Sequence, residues 1–211
     1  MAQIHITQSI FAGYERIYRA NLINSVTGYK PAMLIGTTNL DGQHNLAIFS
    51  SVVHLGADPA LVGFIQRPVG VSGDTFRNIT ANGVYTINHI HEHFVEKAHY
   101  TSARFESSVS EFEACKLTPQ YLEGFPAPFV SESSIKFGLE LVEVVPIRHN
   151  NTSLVIGAVK HILLDEGCIE ENGNLNLNSV NDVCISGLEN YHQVEKLRSL
   201  PYASVKNLPA F

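Results

Sequence analysis

Between Pro31 and Asn88 the chain alternates short apolar runs with turn-forming residues, at a spacing that suits hairpin-connected strands. Ala32 to Thr38 is nearly all apolar, as in a strand buried on both faces. Pro31 stands at its start, where a missing N–H is tolerated. Asp41-Gly42 then predicts a tight turn, because such turns need φ > 0. His44 to Val53 reads as the second strand and ends in small polar residues. Pro59 resets the chain for a third, Ala60 to Gln66, which Arg67-Pro68 ends. Ser72 to Ala81 has helical spacing, with Ser72 or Asp74 able to cap its start and Asn82-Gly83 to stop it. Val84 to Asn88 returns as a strand.

Elsewhere the signals are sparser. Residues 1–24 are a mixed lead-in, in which Ile17, Tyr18 and Leu22 could share one side of a helix. His91 to Ser102 has helical spacing with Phe94, Ala98 and Tyr100 inward. Ser110-Glu-Phe-Glu113 matches a capping box. Gly124 to Ser131, with Pro126 and Pro128, reads as a loop. Ile135 to Arg148 and Ser153 to Leu164 are two long strands joined by the turn His149-Asn-Asn151. Asp165 to Asn181 is polar, with a turn signal at Asn172-Gly173. The sum is about six strands and a few short helices. That predicts a mainly β fold, a six-stranded antiparallel β-barrel with helical excursions, and not alternating βαβ units. The expected organisation is one domain over 1–211, with the lead-in and a tail from about 186 to 211.

Composition narrows the function classes. Hydrophobic residues make up 45% and charged residues 16%, the balance of a chain with a packed core. A formal net charge of −6 argues against a general nucleic-acid binder, which needs a basic face. The three cysteines, Cys115, Cys168 and Cys184, are odd in number and form no Cys-x-x-Cys. That speaks against a disulfide framework or zinc ribbon and fits a reducing cytoplasm. The first residues lack a signal peptide's charged and apolar regions. No apolar run approaches the roughly 18–20 residues that span a bilayer. The expectation is a cytoplasmic protein without nucleic-acid or membrane partners.

Two places in the opening stretch could carry ligand chemistry. Ser72-Gly-Asp-Thr75 at a helix N-terminus, with Arg67 before it, offers N–H groups, hydroxyls and a guanidinium to a phosphate. The plainer reading is a capped helix beside a surface arginine. In Asn45-Leu-Ala-Ile-Phe-Ser-Ser51, strand geometry turns Asn45, Ala47 and Phe49 one way and Leu46, Ile48 and Ser50 the other. Asn and Ser near a strand end can bond the polar edge of a heterocycle, and Ala47 leaves room for a flat ring. The plainer reading is an ordinary barrel strand. His89, His93 and Glu96 fall on one helical face, but no His-Glu-x-x-His occurs and no metal site is assigned. A single histidine beside a bound ring, such as His99, suits proton or hydrogen-bond donation better. Gly-x-Ser-x-Gly, Gly-x-Gly-x-x-Gly and Walker A patterns are missing, which removes the usual hydrolase, Rossmann and kinase readings.

In order and spacing, these pieces resemble the flavin reductase-like family, whose fold is the FMN-binding split barrel. The matching residues are Lys30-Pro-Ala-Met-Leu-Ile-Gly-Thr37, Asn45 to Ser51, Pro59 to Ile65, Asp74-Thr-Phe-Arg-Asn-Ile79 and Val84 to Asn88. Ser110 to Glu113, Leu117-Thr118, Ile156-Gly-Ala-Val159 and Gly187-Leu-Glu-Asn-Tyr191 continue the pattern, with the flavoredoxin-like members nearest. The resemblance implies a homodimer with FMN at the subunit interface. It implies that Asn45, Leu46, Ala47, Ile48, Ser50 and Ser51 line the ring and ribityl chain. It places Arg67, Ser72, Asp74, Thr75 and Asn78 around the phosphate. His99 and Tyr191 are the candidate catalytic residues on the ring's open side, the plainer reading for both being packing at a dimer interface. It further implies a hydride taken from NADH or NADPH. The alternative is an electron-transfer flavoprotein fed by a protein partner.

Overall fold

The structure is a computed structural model that describes residues 3–68 and 73–209. Its framework is a sheet of seven antiparallel strands. A two-residue strand β1 (Lys30–Pro31) is followed by β2 (Met33–Thr38), β3 (His44–Phe49), β4 (Val53–Ala57) and β5 (Ala60–Gln66). Helix α1 (Asp74–Asn82) leads to β6 (Val84–His89), and a 3₁₀ turn leads to α2 (Val95–Tyr100) and the short α3 (Glu111–Ala114). A hairpin, β7 (Pro119–Leu122) and β8 (Phe125–Val130), precedes the long pair β9 (Ile135–Ile147) and β10 (Thr152–Leu164). The chain closes with β11 (Val183–Ser186) and β12 (Asn190–Gln193), which form a second sheet with β1.

In the large sheet the order is β3-β2-β6-β9-β10-β5-β4. Its edges, β3 and β4, are therefore consecutive in the chain but not paired. The sequence predicts one strand over His44 to Val53; the structure breaks it at Ser50–Val52, and this is where a six-strand expectation becomes seven. The break has a physical cause. The Ser51 hydroxyl accepts from the Ile65 N–H and donates to the Ile65 carbonyl, both at 3.1 Å. The serine thus replaces a strand partner for β5 while the backbone leaves one edge of the sheet for the other.

The two faces of the sheet bury different clusters. Met33, Ile35, Phe64, Tyr85, Ile87, Leu139 and Val155 fill the inner side, where Ile79 of α1 joins them and Phe49 and Phe76 pack against them. Ala32, Leu34 and Leu46 point outward to Phe94, Ala98, Phe112, Val183 and Ile185. Successive residues of β2, Met33, Leu34 and Ile35, alternate between the two clusters, as the two-residue period of a strand requires. Gly36 is set by a close approach: a Cβ there would lie 2.2 Å from the Pro128 carbonyl oxygen of β8.

Other expectations are corrected. Gly124 to Ser131 is largely strand β8, paired with β7. Its prolines still supply acceptors, since Pro126 and Pro128 carbonyls take the Thr38 and Thr86 hydroxyls. The helices at Gln8–Ala12 and Arg16–Ser25 bury no residue, so Ile17 and Tyr18 are exposed. Phe94 and Ala98 face inward but Tyr100 does not. The capping box does not form, because Ser110 is the N-cap of α3 without a side-chain bond to it. No helix among the described residues is long and apolar enough to cross a membrane.

Candidate functional site

Strand β3 is the element on which the candidate residues converge. Asn45, at its start, is almost wholly buried, and its Nδ2 donates to Thr75 Oγ1 of α1 at 2.9 Å. One turn further on, Asn78 Nδ2 donates to Thr37 Oγ1 at 3.1 Å, and Thr37 is the β2 partner of Asn45. These four polar side chains lock the first turn of α1 onto β2 and β3. Each threonine hydroxyl accepts here and keeps its own hydrogen to donate. Gly73 is the N-cap of α1 and provides no side-chain cap. Asp74 is at the first helical position instead of capping; its carboxylate pairs with Arg77 and accepts from the Ser107 hydroxyl. A polar cavity of about 110 Å³ opens beside this corner, lined by Asn45, Asp74, Asn78, His44, Ser107 and Glu111 among others.

The far end of β3 is different in character. Ser50 and Ser51 are half-buried, and the Ser51 hydroxyl is committed to Ile65. Arg67 follows two residues later and is exposed, and its charge acts on Lys30. Lys30 Nζ donates to the carbonyls of Asn24 and Gly187 at 2.9 and 2.8 Å. Burial first, and Arg67 second, hold Lys30 below the usual lysine range. Two cations in mutual range make a spot suited to an anion. Next to Arg67, Gln66 Oε1 is buried with no hydrogen-bond partner among the described residues, an acceptor that calls for a donor. Strand rise separates the Asn45 and Phe49 positions by about 13 Å. The Arg67 and Thr75 anchors thus sit toward opposite ends of β3. Ser72 lies outside the described residues.

Edge position supplies the remaining polar groups. In an antiparallel pair, backbone groups of alternate residues point toward the partner strand and away from it. The Leu46 N–H points away from β2, because it donates to Glu111 Oε2 at 2.9 Å. Ile48, two residues on, presents its N–H and carbonyl on the same outer side, and among the described residues no strand pairs with β3 there. Ala47 lies between them with little side chain in the way.

His99 and Tyr191 are brought together by the fold from positions far apart in sequence. His99 Nδ1 and the Tyr191 hydroxyl are hydrogen-bonded at 3.0 Å, with their rings edge to face. Burial pushes the Tyr191 phenol up to about 12, so it stays protonated near neutral pH. Tyr191 and Ile48 pack against the same outer cluster, which puts the pair on the Leu46 and Ile48 side of β3. Asn45 and Thr75 belong with α1 on the other side. A ligand touching both groups has to run along the edge of β3. The histidine run contributes elsewhere: His89 Nδ1 bonds Asp182 Oδ2 at 2.9 Å and buried His91 accepts from the Ser134 N–H.

Sequence reasoning missed Thr37, Lys30, Gln66 and Glu111 as members of this neighbourhood. Glu111 was legible only as part of a helix cap, because nothing local signals a bond to a strand 65 positions earlier. These residues suit a flavin on chemical grounds. Such a ligand carries N–H and ribityl donors for Gln66 Oε1 and the Ile48 carbonyl, an acceptor edge for the Ile48 N–H, and a phosphate for hydroxyl and cationic donors.

The comparisons agree in kind. The flavin reductase like domain family matches residues 28–180. A split-barrel protein from Shewanella frigidimarina NCIMB 400, assigned as a flavin reductase, is 44% identical with a TM-score of 0.92, over 95% of this chain and 100% of that one. Flavoredoxin of Desulfovibrio vulgaris (Miyazaki F) is 24% identical with a TM-score of 0.72, over 85% and 94% of the two chains. An FMN-binding protein from Thermus thermophilus is 16% identical with a TM-score of 0.69, over 95% and 98%. The last two likenesses concern the fold alone.

Proposed function

Because the chain belongs to the flavin reductase like family, we propose that it is an FMN-binding oxidoreductase that uses NADH or NADPH as electron donor. The observation that carries this reading is the edge of β3 at Ile48, unpaired by any strand among the described residues, on a strand whose start is bonded to Thr75 and whose Ile48 packs against the same cluster as Tyr191. FMN, when bound, would supply the chemistry of hydride and electron transfer. The chain supplies orientation, charge and exclusion of water. In this reading Leu46, Ala47, Ile48, Ser50 and Ser51 hold the ring and ribityl chain along the strand. The Thr75 hydroxyl and the N-terminal N–H groups of α1, with Asn78 near them, hold the phosphate. Asp74 serves that corner through its backbone, since its carboxylate is occupied by Arg77 and Ser107. Arg67 with Lys30 draws the anion in and guards the other end. Tyr191, protonated and fixed by His99, offers a hydrogen bond toward the ring's open side.

The same reading includes a homodimer. The helices at Gln8–Ala12 and Arg16–Ser25 bury nothing within the chain, and Leu197, Leu200 and Tyr202 of the tail are exposed. A second copy of this chain is the proposed cover for these apolar side chains. The cytoplasm is the proposed location, since Cys115, Cys168 and Cys184 are all unpaired. An absorbance spectrum before and after anaerobic NADH or NADPH tests the function. The expected result is yellow protein that bleaches on mixing. Protein that keeps flavin but resists both nicotinamides would leave the electron-transfer reading, with a protein donor. Protein that retains and takes up no flavin would overturn both. Light scattering that finds a monomer binding FMN tightly would remove the dimer.

A further inference from the structure

We propose that Glu111 is a positioning residue of the flavin site: it holds the outer edge of β3 at Leu46 and so fixes where the Ile48 backbone groups stand for the ring. The inference rests on the FMN reading above. Among the described residues, strand β3 is paired as a strand on one side only, by β2, and its other side is the edge of the sheet. An edge with a ligand site needs a second restraint, or its free backbone groups will drift relative to whatever they bind. Among the described residues, the Glu111 carboxylate supplies one, taking the Leu46 N–H at 2.9 Å from a residue 65 positions away. Ile48 is the next residue whose backbone faces that way, so it inherits the restraint through two peptide units.

The placement of Glu111 is not explained by the helix it begins. Helix α3 has four residues, its capping box is unformed, and Ser110 Oγ is left without a partner among the described residues. Glu111 is directed instead at β3, where the pocket beside Thr75 also opens. Neighbouring charge does not favour it. Asp74 faces it from α1, with Arg77 bound to Asp74; His44 lines the same cavity from β3, and Cys115 lies one turn along at the end of α3. Burial, and then Asp74, push the Glu111 carboxyl up, while its bond to Leu46 opposes them. A carboxylate kept there against desolvation makes a stronger bond to an N–H than a neutral amide does.

Riboflavin and FMN, titrated separately by fluorescence quenching, test the inference with the full-length chain. Glu111→Ala should weaken both flavins about tenfold, and Glu111→Gln, which keeps a neutral acceptor, should fall between it and the wild type. Acidification through the Glu111 titration should bring the wild type down toward Glu111→Gln, whose ratio to Glu111→Ala stays level. Using the ratio cancels the titration of the FMN phosphate. Equal affinities in all three proteins would overturn the proposal. So would an effect seen with FMN and not riboflavin, which would mark a charge acting on the phosphate. If Glu111→Ala does not fold, the pH dependence of wild type against Glu111→Gln decides alone, and a constant ratio overturns it. A wild type that binds neither flavin would instead remove the FMN reading on which this rests.

Discussion

Thr75→Val separates the structural duty of the Thr75 hydroxyl from its proposed ligand duty. Valine keeps the shape and loses the oxygen. In the folded protein Thr75 is 6% exposed and Asn45 is 9% exposed, so water cannot readily replace the hydroxyl as acceptor for Asn45 Nδ2. Leaving a buried donor unpaired costs about 1–3 kcal/mol. Some of that is offset by the methyl group that valine buries, worth about 0.8 kcal/mol. The expected net loss of flavin-free stability is therefore about 0.2–2 kcal/mol, read as a lower urea midpoint at unchanged slope. Thr75→Ser keeps the acceptor and should lose less. FMN affinity should fall further than stability predicts, because the hydroxyl hydrogen is the proposed phosphate donor; a lost charge-assisted bond of about 1.5–3 kcal/mol corresponds to roughly 10- to 100-fold. Riboflavin, lacking the phosphate, should be affected much less. An unchanged urea midpoint would refute the buried-bond argument. An unchanged FMN affinity in a folded Thr75→Val would refute the phosphate assignment.

Further perturbations probe the frame around the site. The Tyr85 hydroxyl is buried without a partner among the described residues, and burial raises its pKa far above the ordinary phenol value. Tyr85→Phe should therefore stabilise the protein by about 1 kcal/mol in urea titration. Gly157→Ala would set a Cβ 2.2 Å from that hydroxyl, so it should destabilise alone and be partly rescued in the double variant; strict additivity would show that the two positions do not meet. Burial holds His91 below its usual range, ahead of the opposing pull of Asp182. The unfolded chain then takes its proton near pH 6.5 and the folded chain only at lower pH, so stability should fall as pH drops below about 6.5. His91→Gln keeps an acceptor for the Ser134 N–H and should flatten this part of the profile. Parallel urea midpoints for both proteins from pH 7.5 to about 5 would refute it.

What could be read locally was what local forces decide. Met33 to Thr38, Ala60 to Gln66 and the long pair after Ile135 announced themselves through apolar content and turn residues, and Gly42 and Gly83 adopt the positive φ that their turns demand. The helix at Asp74 was visible in its spacing, and the alternation along Asn45 to Phe49 assigned its faces correctly. Errors arose where a distant partner overrode a local preference. Two prolines suggested a loop over a segment that β7 and the close approach of β2 hold as a strand. A capping-box pattern was outbid by the open N–H of an edge strand. Tyr100 shared a helical periodicity with Phe94 and Ala98, yet it is 65% exposed.

By itself, then, the order of apolar runs and turns specified a mainly β chain with a hairpin and a capped helix, because hydrophobic period and turn chemistry act over a few residues; it was the family resemblance that singled out Asn45 to Ser51 and Arg67 to Asn78. The tertiary structure alone decided that these segments share an edge. It broke the strand at Ser50, carried β4 to the far side of the sheet, and left Ile48 facing outward beside Glu111. It also joined His99 to Tyr191 across 92 positions. Such contacts follow from which strands close the sheet and which remain edges, a long-range outcome of packing the whole chain that no short window of sequence encodes.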